Sequence, residues 1–410
     1  MQNSQKRLRW ACYTANVTMS VVVNLSPLLF LTFHKAYNIS YTLLGLLVFI
    51  NFFSQLCVDL VFSFFSHKFN VARTVRIMPI LAIIGFAVYA LAPVFFPNIV
   101  YLGLAIGTVI FSIASGLAEV LLSPLIASLP SDNPEREMSK LHSIYAWGVV
   151  AVVVFSTLFL LCFGTDSWQW LTAVLTILPL LSTILFFGAE VPKMQTPERT
   201  SKVFTFLKNK TVWMCVIAIF LGGAAECTMS NWASSYLELA LGIPKVWGDI
   251  LGVALFAAAL GLGRTLYSKI GKNVTRVLVL GAIGASVCYL LASLSPFPIV
   301  GLLGCAFTGL CTSMLWPGNL IVASDKFPNG GVLIYALMAA GGDMGAAIGP
   351  QLVGSVADIV IASESGIQLA AKFGLRIEQL GMKVGVLVGS IFPILAILLF
   401  LCIHRSYKRQ

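Results

Sequence analysis

Four acidic side chains lie within long apolar stretches of this 410-residue sequence: Asp59, Glu119, Glu226 and Asp343. An ionised acid at the centre of a helix in lipid costs roughly 2.5–3.5 kcal/mol on insertion scales. Burial disfavours the charged form of a carboxyl group, so such a group can take a proton from one solvent and release it into another. The four acids are therefore predicted proton-coupling residues, with sodium as the alternative ion.

Two of these acids also have a structural explanation. Asp59 could pair with Arg264 or cap a neighbouring helix. Asp343 lies among glycines, which permit close helix packing, so it could satisfy helix ends at a tight crossing. Glu119 corresponds to Thr312 in the second half of the chain, so packing at this position does not demand an acid.

The elements that must position these acids are helices in lipid. Hydrophobic residues make up 58% of the chain and charged residues 10%, whereas a soluble domain carries about 25% charged residues. A helix that crosses the lipid core needs about 20 apolar residues. The predicted fold is all-α, with twelve transmembrane helices and short connections. We number them spans 1 to 12, at about 10–33, 42–66, 74–93, 98–128, 141–163, 168–188, 211–237, 247–268, 276–294, 298–323, 331–361 and 379–402.

The basic residues predict the orientation of the spans. Every second gap between spans is basic, and these gaps together hold 21 of the 26 lysines and arginines. Basic loops stay in the cytoplasm, so both termini are predicted to be cytoplasmic, in a multi-pass protein of the plasma (inner) membrane. The net charge of +10 then needs no nucleic acid as a partner. Asp249 and Glu238, near the outer surface, are expected to be solvated.

The chain contains two related halves. In span 4, Gly116 precedes Pro124 by eight residues, and in span 10 Gly309 precedes Pro317 by the same number. Six-plus-six spans with internal repetition are typical of secondary transporters, whose binding site lies between the repeats near mid-membrane. The predicted domains are an N-terminal six-helix bundle at 1–188, a cytoplasmic linker at 189–210 and a C-terminal six-helix bundle at 211–410.

Polar and aromatic side chains inside the spans are candidates for substrate binding, because amides hold sugar-like solutes by paired hydrogen bonds and aromatic rings hold them by stacking. These candidates are Asn24, Gln55, His142, Trp147, Asn231, Trp232, Trp316, Asn319 and Gln351. Basic turns follow spans 2 and 8, and the candidates for gating there are His67, Lys68, Arg73, Arg264 and Lys269.

The two basic turns resemble the motif that follows the second and eighth helices in the major facilitator superfamily. The first copy has His67 and Asn70 where the family has Asp and Gly, and the second copy, at 263–271, is closer. Within that superfamily, Gly116 with Glu119 resembles the fucose:proton symporter group. Similar segments occur at Leu141–Gly148, at Gly222–Glu226 followed by Trp232, and at Gly342–Gly345 followed by Pro350.

This resemblance implies a major facilitator fold in two pseudo-symmetric bundles. It also implies proton-coupled uptake of a sugar or similar polyhydroxylated solute by alternating access. In the fucose symporters an Asp of the first helix works with the Glu of the fourth. Here the strongly polar groups of span 1 are Asn16 and Asn24.

A proton-driven exporter of amphipathic or cationic compounds is the alternative function for the same fold. An enzyme is not expected, because the sequence contains no HExxH, no GxSxG after a strand, no P-loop and no close Cys/His cluster. No cofactor or metal is predicted. The expected partners are a small-molecule substrate, protons or sodium, and the lipid bilayer, with the chain acting as a monomer.

Overall fold

A computed structural model describes residues 2–65, 68–127, 129–130, 134–192, 208–270, 273–327 and 331–408 of the chain. Within these residues the secondary structure is helical, and no strand is present. Spans 1 to 6 are Gln2–Tyr37, Tyr41–Phe65, Val71–Ala90, Val100–Ala127, Pro134–Phe163, and Trp168–Leu175 continued by Ile177–Phe187. Spans 7 to 12 are Lys210–Leu241, Lys245–Trp247 continued by Gly248–Ala254 and Leu255–Ile270, Val274–Leu294, Pro298–Thr312 continued by Pro317–Lys326, Gly331–Ala362, and Ile377–Gly389 continued by Ile391–Lys408.

Twelve helices of the described chain are long and apolar enough to cross a membrane. They match the twelve predicted spans one by one, so the all-α fold with twelve transmembrane helices is confirmed. The ends differ by a few residues, most clearly at span 1, which was predicted at about 10–33 and occupies Gln2–Tyr37. Apolar windows report the lipid core, whereas a helix continues through its polar flanks.

Several spans change their helical geometry part-way. Span 10 is interrupted at 313–316 and resumes at Pro317, the first position of the new helix, where the missing N–H of proline is no loss. Span 8 contains a π-helical stretch at Gly248–Ala254, and span 12 is interrupted at Ser390. Other prolines lie inside continuous helices, namely Pro27, Pro79 and Pro350.

By internal contacts the described residues form two compact units. Unit 1 comprises those of Met1–Ser26 and Ile50–Ser201, and unit 2 comprises those of Pro27–Phe49 and Lys202–Gln410. The end of span 1 and the beginning of span 2 therefore group with unit 2, whereas the sequence assigns them to the N-terminal bundle. The predicted bundle boundaries stay a prediction.

Close helix packing in unit 1 depends on glycine. A Cβ atom on Gly85 would lie 2.5 Å from the backbone nitrogen of Phe111, and a Cβ on Gly107 would lie 2.8 Å from that of Tyr89. Spans 3 and 4 therefore approach each other at backbone distance, as small residues permit in membrane proteins. Beside them, the core includes Cys12, Leu125 and Phe186, all buried.

Arginines at the basic ends of unit 1 donate to backbone carbonyls. Arg7 donates to the carbonyl oxygens of Ile184 (2.8 Å) and Leu185 (3.2 Å), and Arg9 donates to that of Pro130 (2.7 Å). The last carbonyls of a helix have no partner within it, so Arg7 satisfies those of span 6 as basic residues do near helix C-termini, whereas Pro130 lies beyond the end of span 4. The bases that predict orientation thus also contribute to folding.

Candidate functional site

A polar stripe runs along span 2 in unit 1. Asn51, Gln55 and Asp59 are spaced four residues apart, so they lie one above another on the same helix face. All three are buried. Span 4 contributes Ser112 and, two turns later, Glu119. The stripe therefore combines amide, hydroxyl and carboxyl groups within a membrane-spanning unit.

Hydrogen bonds join the two spans at Asn51. The hydroxyl of Ser112 donates to Asn51 Oδ1 at 2.6 Å, and the amide of Gln55 donates to the same oxygen at 3.0 Å. Buried polar groups are costly without partners, so these bonds fix the orientation of both amides. Gln55 was predicted from the sequence, whereas Asn51 and Ser112 were not.

Gly116 sets the distance between the two spans. A Cβ atom at this position would lie 3.1 Å from the Cα of Gln55 and 3.0 Å from the Cβ of Val58. Both contacts are tighter than side chains normally make, so glycine lets span 4 approach span 2 midway between Ser112 and Glu119. The close approach brings the two carboxyl groups of the stripe together.

Asp59 and Glu119 form a carboxylate pair. One carboxylate oxygen of each lies within 4.8 Å of the other. Asp59 is 2% exposed, and Glu119 is partly buried. Two carboxyl groups at such a distance favour a state in which one of them is neutral, because ionising both adds repulsion to the loss of hydration. The pair can therefore hold a proton or a small cation.

The amides of span 1 are engaged within unit 1. Asn16 donates to the carbonyl of Leu141 at 2.6 Å, which ties span 1 to span 5. Asn24 donates to the carbonyl of Ser20 one turn earlier. Trp147 of span 5 is 69% exposed, so its indole is not part of the unit's core. The side chain of His142 lies outside the described residues.

The first basic turn is partly described. His67 lies outside the described residues. Lys68 places its ammonium 5.1 Å from the centre of the Phe65 ring, and Arg73 is exposed. Asn70, which replaces the family's glycine, accepts a hydrogen bond from the backbone N–H of Arg73 and caps span 3. In the second turn, the side chain of Lys269 lies outside the described residues.

An ion pair joins spans 7 and 8 in unit 2. Arg264 Nη2 lies 3.2 Å from Glu226 Oε1, and Arg264 Nε donates to the carbonyl of Ser313 at 3.1 Å. The carboxylate is 14% exposed and the guanidinium 34%. A charge taken out of water needs a partner, and each of these two groups supplies it for the other.

A crossing of spans 7 and 11 lies one turn away. A Cβ atom on Gly223 would lie 2.6 Å from the carbonyl oxygen of Gly342, and one on Gly342 would lie 2.4 Å from the Trp316 ring. The indole therefore packs closely against the backbone at this crossing. Asp343 follows Gly342 and is 3% exposed.

Trp232 has a structural setting in unit 2. Its side chain is fully buried, its indole N–H donates to the carbonyl of Pro350 at 2.8 Å, and its ring centre lies 4.8 Å from that of Phe30. The indole N–H is thus already used by a helix carbonyl of span 11.

Three predicted amides of unit 2 bond locally. Asn231 and Asn319 donate to the carbonyls of Cys227 and Leu315, one turn earlier in each case, and Gln351 donates to the hydroxyl of Ser355. The Oδ1 atom of Asn319 and the Oε1 atom of Gln351 are buried acceptors without a hydrogen bond from any described residue. Such acceptors are costly unless something else bonds them.

The sequence model of the Major Facilitator Superfamily matches residues 11–350. The chain belongs to the major facilitator superfamily. Membership indicates a membrane transporter rather than an enzyme, and it confirms the superfamily predicted from the basic turns. A search of curated protein sequences gives no match.

Solved superfamily structures share the fold at low identity. A bacterial homolog of the human lysosomal transporter Spinster is 14% identical, with a TM-score of 0.73, over 99% of this chain and 98% of that one. The xylose transporter XylE from E. coli is 15% identical, with a TM-score of 0.69, over 97% of each chain. The transporter FucP is 14% identical, with a TM-score of 0.59, over 95% and 98%.

Asp249 is more buried in the structure than the sequence predicts. Asp249 was expected to be solvated, but it is 1% exposed. Both carboxylate oxygens of Asp249 lie 3.0 Å from Lys245 Nζ, and the hydroxyl of Ser234 donates to Asp249 Oδ1. The π-helical stretch that begins at Gly248 carries Asp249. Hydropathy alone placed this acid near a span end and so could not predict its burial.

Proposed function

We propose that this chain is a proton-coupled secondary transporter that takes up a small polyhydroxylated solute by alternating access. The Asp59–Glu119 pair carries the proposal, with carboxylate oxygens within 4.8 Å inside a membrane-spanning unit. Ionising both acids there adds electrostatic repulsion to the cost of a charge in lipid. One bound proton relieves this repulsion and makes the pair a carrier for the coupling ion.

The neighbouring amides supply a link from proton to solute. Gln55 lies one turn from Asp59 on the same face of span 2, and its amide bonds Asn51. A solute hydroxyl that exchanges hydrogen bonds with Gln55 then lies one turn from the titrating pair. Protonation and solute binding can stabilise the same state of unit 1, as coupling requires.

Within unit 2 the groups divide into two roles. Glu226 faces the fixed cation of Arg264 at 3.2 Å, so we assign it to holding spans 7 and 8 together and not to proton transfer. The acceptors of Asn319 and Gln351 suit donation from solute hydroxyls. Asp343, buried beside the Gly342 crossing, stays a second candidate for the ion.

The test uses the purified chain in proteoliposomes with an alkaline interior. Labelled hexoses, pentoses, polyols and nucleosides are offered outside, with and without a protonophore. Accumulation of one polyhydroxylated class above its outside concentration, abolished by the protonophore, is the expected result. Accumulation that persists with the protonophore but requires a sodium gradient would reject proton coupling.

The exporter alternative predicts a different pattern in the same vesicles. Lipophilic cations loaded inside would then leave the vesicles as protons enter the alkaline interior, and sugars would neither compete nor accumulate. A thermal-shift panel with the same solutes gives an independent measure of binding. Stabilisation by cationic compounds alone would exclude the proposed uptake of a polyhydroxylated solute.

A further inference from the structure

A groove of about 450 Å³ opens on the surface of unit 1, between the basic end of span 1 and the second part of span 6. Its walls are Lys6, Arg7, Trp10, Thr14, Leu181 and Leu185. None of these residues belongs to the carboxylate pair or to its amide neighbours. The groove is therefore a separate feature of the fold.

Polarity changes in order along this groove. Lys6, Trp10 and Thr14 are spaced four residues apart, so they follow one face of span 1 from its basic end inward. Leu181 and Leu185 form the same kind of ridge on span 6. The groove thus begins with cations, continues with an indole and ends between apolar walls.

The cations of the groove mouth differ in how firmly they are held. Arg7 donates to the carbonyl oxygens of Ile184 and Leu185 at 2.8 and 3.2 Å, which fixes its guanidinium against span 6. A Cβ atom on Gly188 would lie 2.0 Å from Arg7 Cζ, so glycine makes room for this group. Lys6 is exposed and can move to meet a ligand.

The deeper part of the groove offers no polar group in need of a partner. The Thr14 hydroxyl bonds the carbonyl oxygens of Trp10 and Ala11, both at 3.0 Å. Ser182 donates to the carbonyl of Ala11 and ties the two helices together. Trp10 is 54% exposed, and an exposed indole about two turns from the start of span 1 suits the level of lipid headgroups.

We propose that this groove binds a phospholipid with an anionic headgroup, its phosphate at Lys6 and Arg7 and an acyl chain along Leu181 and Leu185. Two cations without an acid among the lining residues give the charge complementarity. Basic pockets between helices on the cytoplasmic side recognise such headgroups. A free phosphate would satisfy the cations but would leave the apolar walls of the groove unused.

The test is native mass spectrometry of the full chain released from micelles that contain equal amounts of phosphatidylglycerol and phosphatidylcholine. Wild type should retain phosphatidylglycerol preferentially. Lys6→Glu should reduce its occupancy at least about fivefold, the effect of about one basic residue near the surface. Lys208→Gln, an exposed lysine outside the groove, is the matched control and should leave occupancy unchanged.

Three outcomes would overturn the proposal. Equal retention of the two lipids by wild type would show that the groove does not select an anionic headgroup. If Lys208→Gln lost as much phosphatidylglycerol as Lys6→Glu does, the effect would come from the overall charge of the surface and not from the groove. Displacement of phosphatidylglycerol by millimolar inorganic phosphate alone would indicate an anion site without a lipid role. A thermal unfolding curve for each variant shows that it is folded, and Lys6→Gln, which only neutralises the charge, serves if Lys6→Glu does not fold.

Discussion

Arg264 of span 8 binds Glu226 of span 7 at 3.2 Å, while its Nε atom donates to the carbonyl of Ser313 in span 10. One guanidinium therefore connects three helices of unit 2. Glu226, Arg264 and Ser313 are far apart in sequence, and the packing of the helices brings them into contact. Arg264, which the sequence predicts as a gating residue, makes contacts that hold these helices together, and its gating role stays a prediction.

Removal of the cation should destabilise the protein. Arg264→Gln leaves a mostly buried carboxylate without its partner, which we expect to cost about 2 kcal/mol once the partial exposure of the arginine is taken into account. Thermal unfolding in detergent measures the loss. Glu226→Gln and the double variant complete a mutant cycle, and additive effects in that cycle would show that the two groups do not interact energetically.

Glu119→Gln should abolish proton-driven accumulation and preserve exchange. The amide keeps the size of the side chain and its hydrogen-bonding ability but cannot exchange a proton, so the loaded and empty states are no longer distinguished by charge. The measurement compares uptake against a gradient with counterflow of labelled solute in the same proteoliposomes. Asp59→Asn should behave alike, since both acids belong to one pair.

The matched control for these variants is Glu364→Gln, an exposed acid in the short helix Glu364–Phe373. It should retain accumulation. If Glu119→Gln vesicles still concentrate solute above the outside level, the carboxylate pair does not carry the coupling proton. Loss of exchange together with accumulation would instead indicate a folding or binding defect.

Gly345→Ala should be destabilising. A Cβ atom there would lie 2.0 Å from the carbonyl oxygen of Phe220, which is backbone and cannot yield without separating spans 7 and 11. Overpacking of this kind costs about 1–3 kcal/mol. Gly301→Ala is the control, because its Cβ would meet only the flexible end of Leu241 at 2.3 Å. Equal unfolding temperatures for the two variants would contradict the tight crossing.

Asp358→Ala should loosen the start of span 2. The carboxylate of Asp358 accepts from the backbone N–H of Thr42 at 2.6 Å and of Tyr41 at 3.3 Å, so it serves as a cap supplied by span 11. Loss of a cap costs about 1 kcal/mol. Hydrogen exchange at 41–44 should accelerate in Asp358→Ala and less in Asp358→Asn, which keeps one acceptor oxygen. Unchanged exchange would show that water replaces the carboxylate without loss.

The fold could be predicted from the sequence because lipid imposes a single requirement. Each helix needs about 20 apolar residues, so twelve windows of that length and the distribution of Lys and Arg predict twelve spans. The same rule missed the polar flanks of span 1 and the burial of Asp249, because hydropathy reports the average environment of a window and not the partner of one side chain.

The candidate site was only partly predictable. Asp59, Glu119 and Gln55 are conspicuous because acids and amides are rare in apolar windows. Asn51 and Ser112 carried a usable signal, since Asn51 lies one turn from Gln55 and Ser112 two turns from Glu119. No sequence signal indicated that Arg264 pairs with Glu226 or that Trp232 donates to the Pro350 carbonyl. Each contact joins two helices, and the sequence does not reveal how those helices are rotated relative to each other.

The polypeptide crosses the border between its two compact units after Ser26, after Phe49 and after Ser201. A gene divided only at the third crossing would produce an N-terminal fragment that carries Pro27–Phe49 without its packing partners. Lys35 would lose Glu238, and the start of span 2 would lose Asp358. A fragment divided at that point lacks contacts that its own residues make in the intact chain, so we expect the two pieces to fold properly only when both are present.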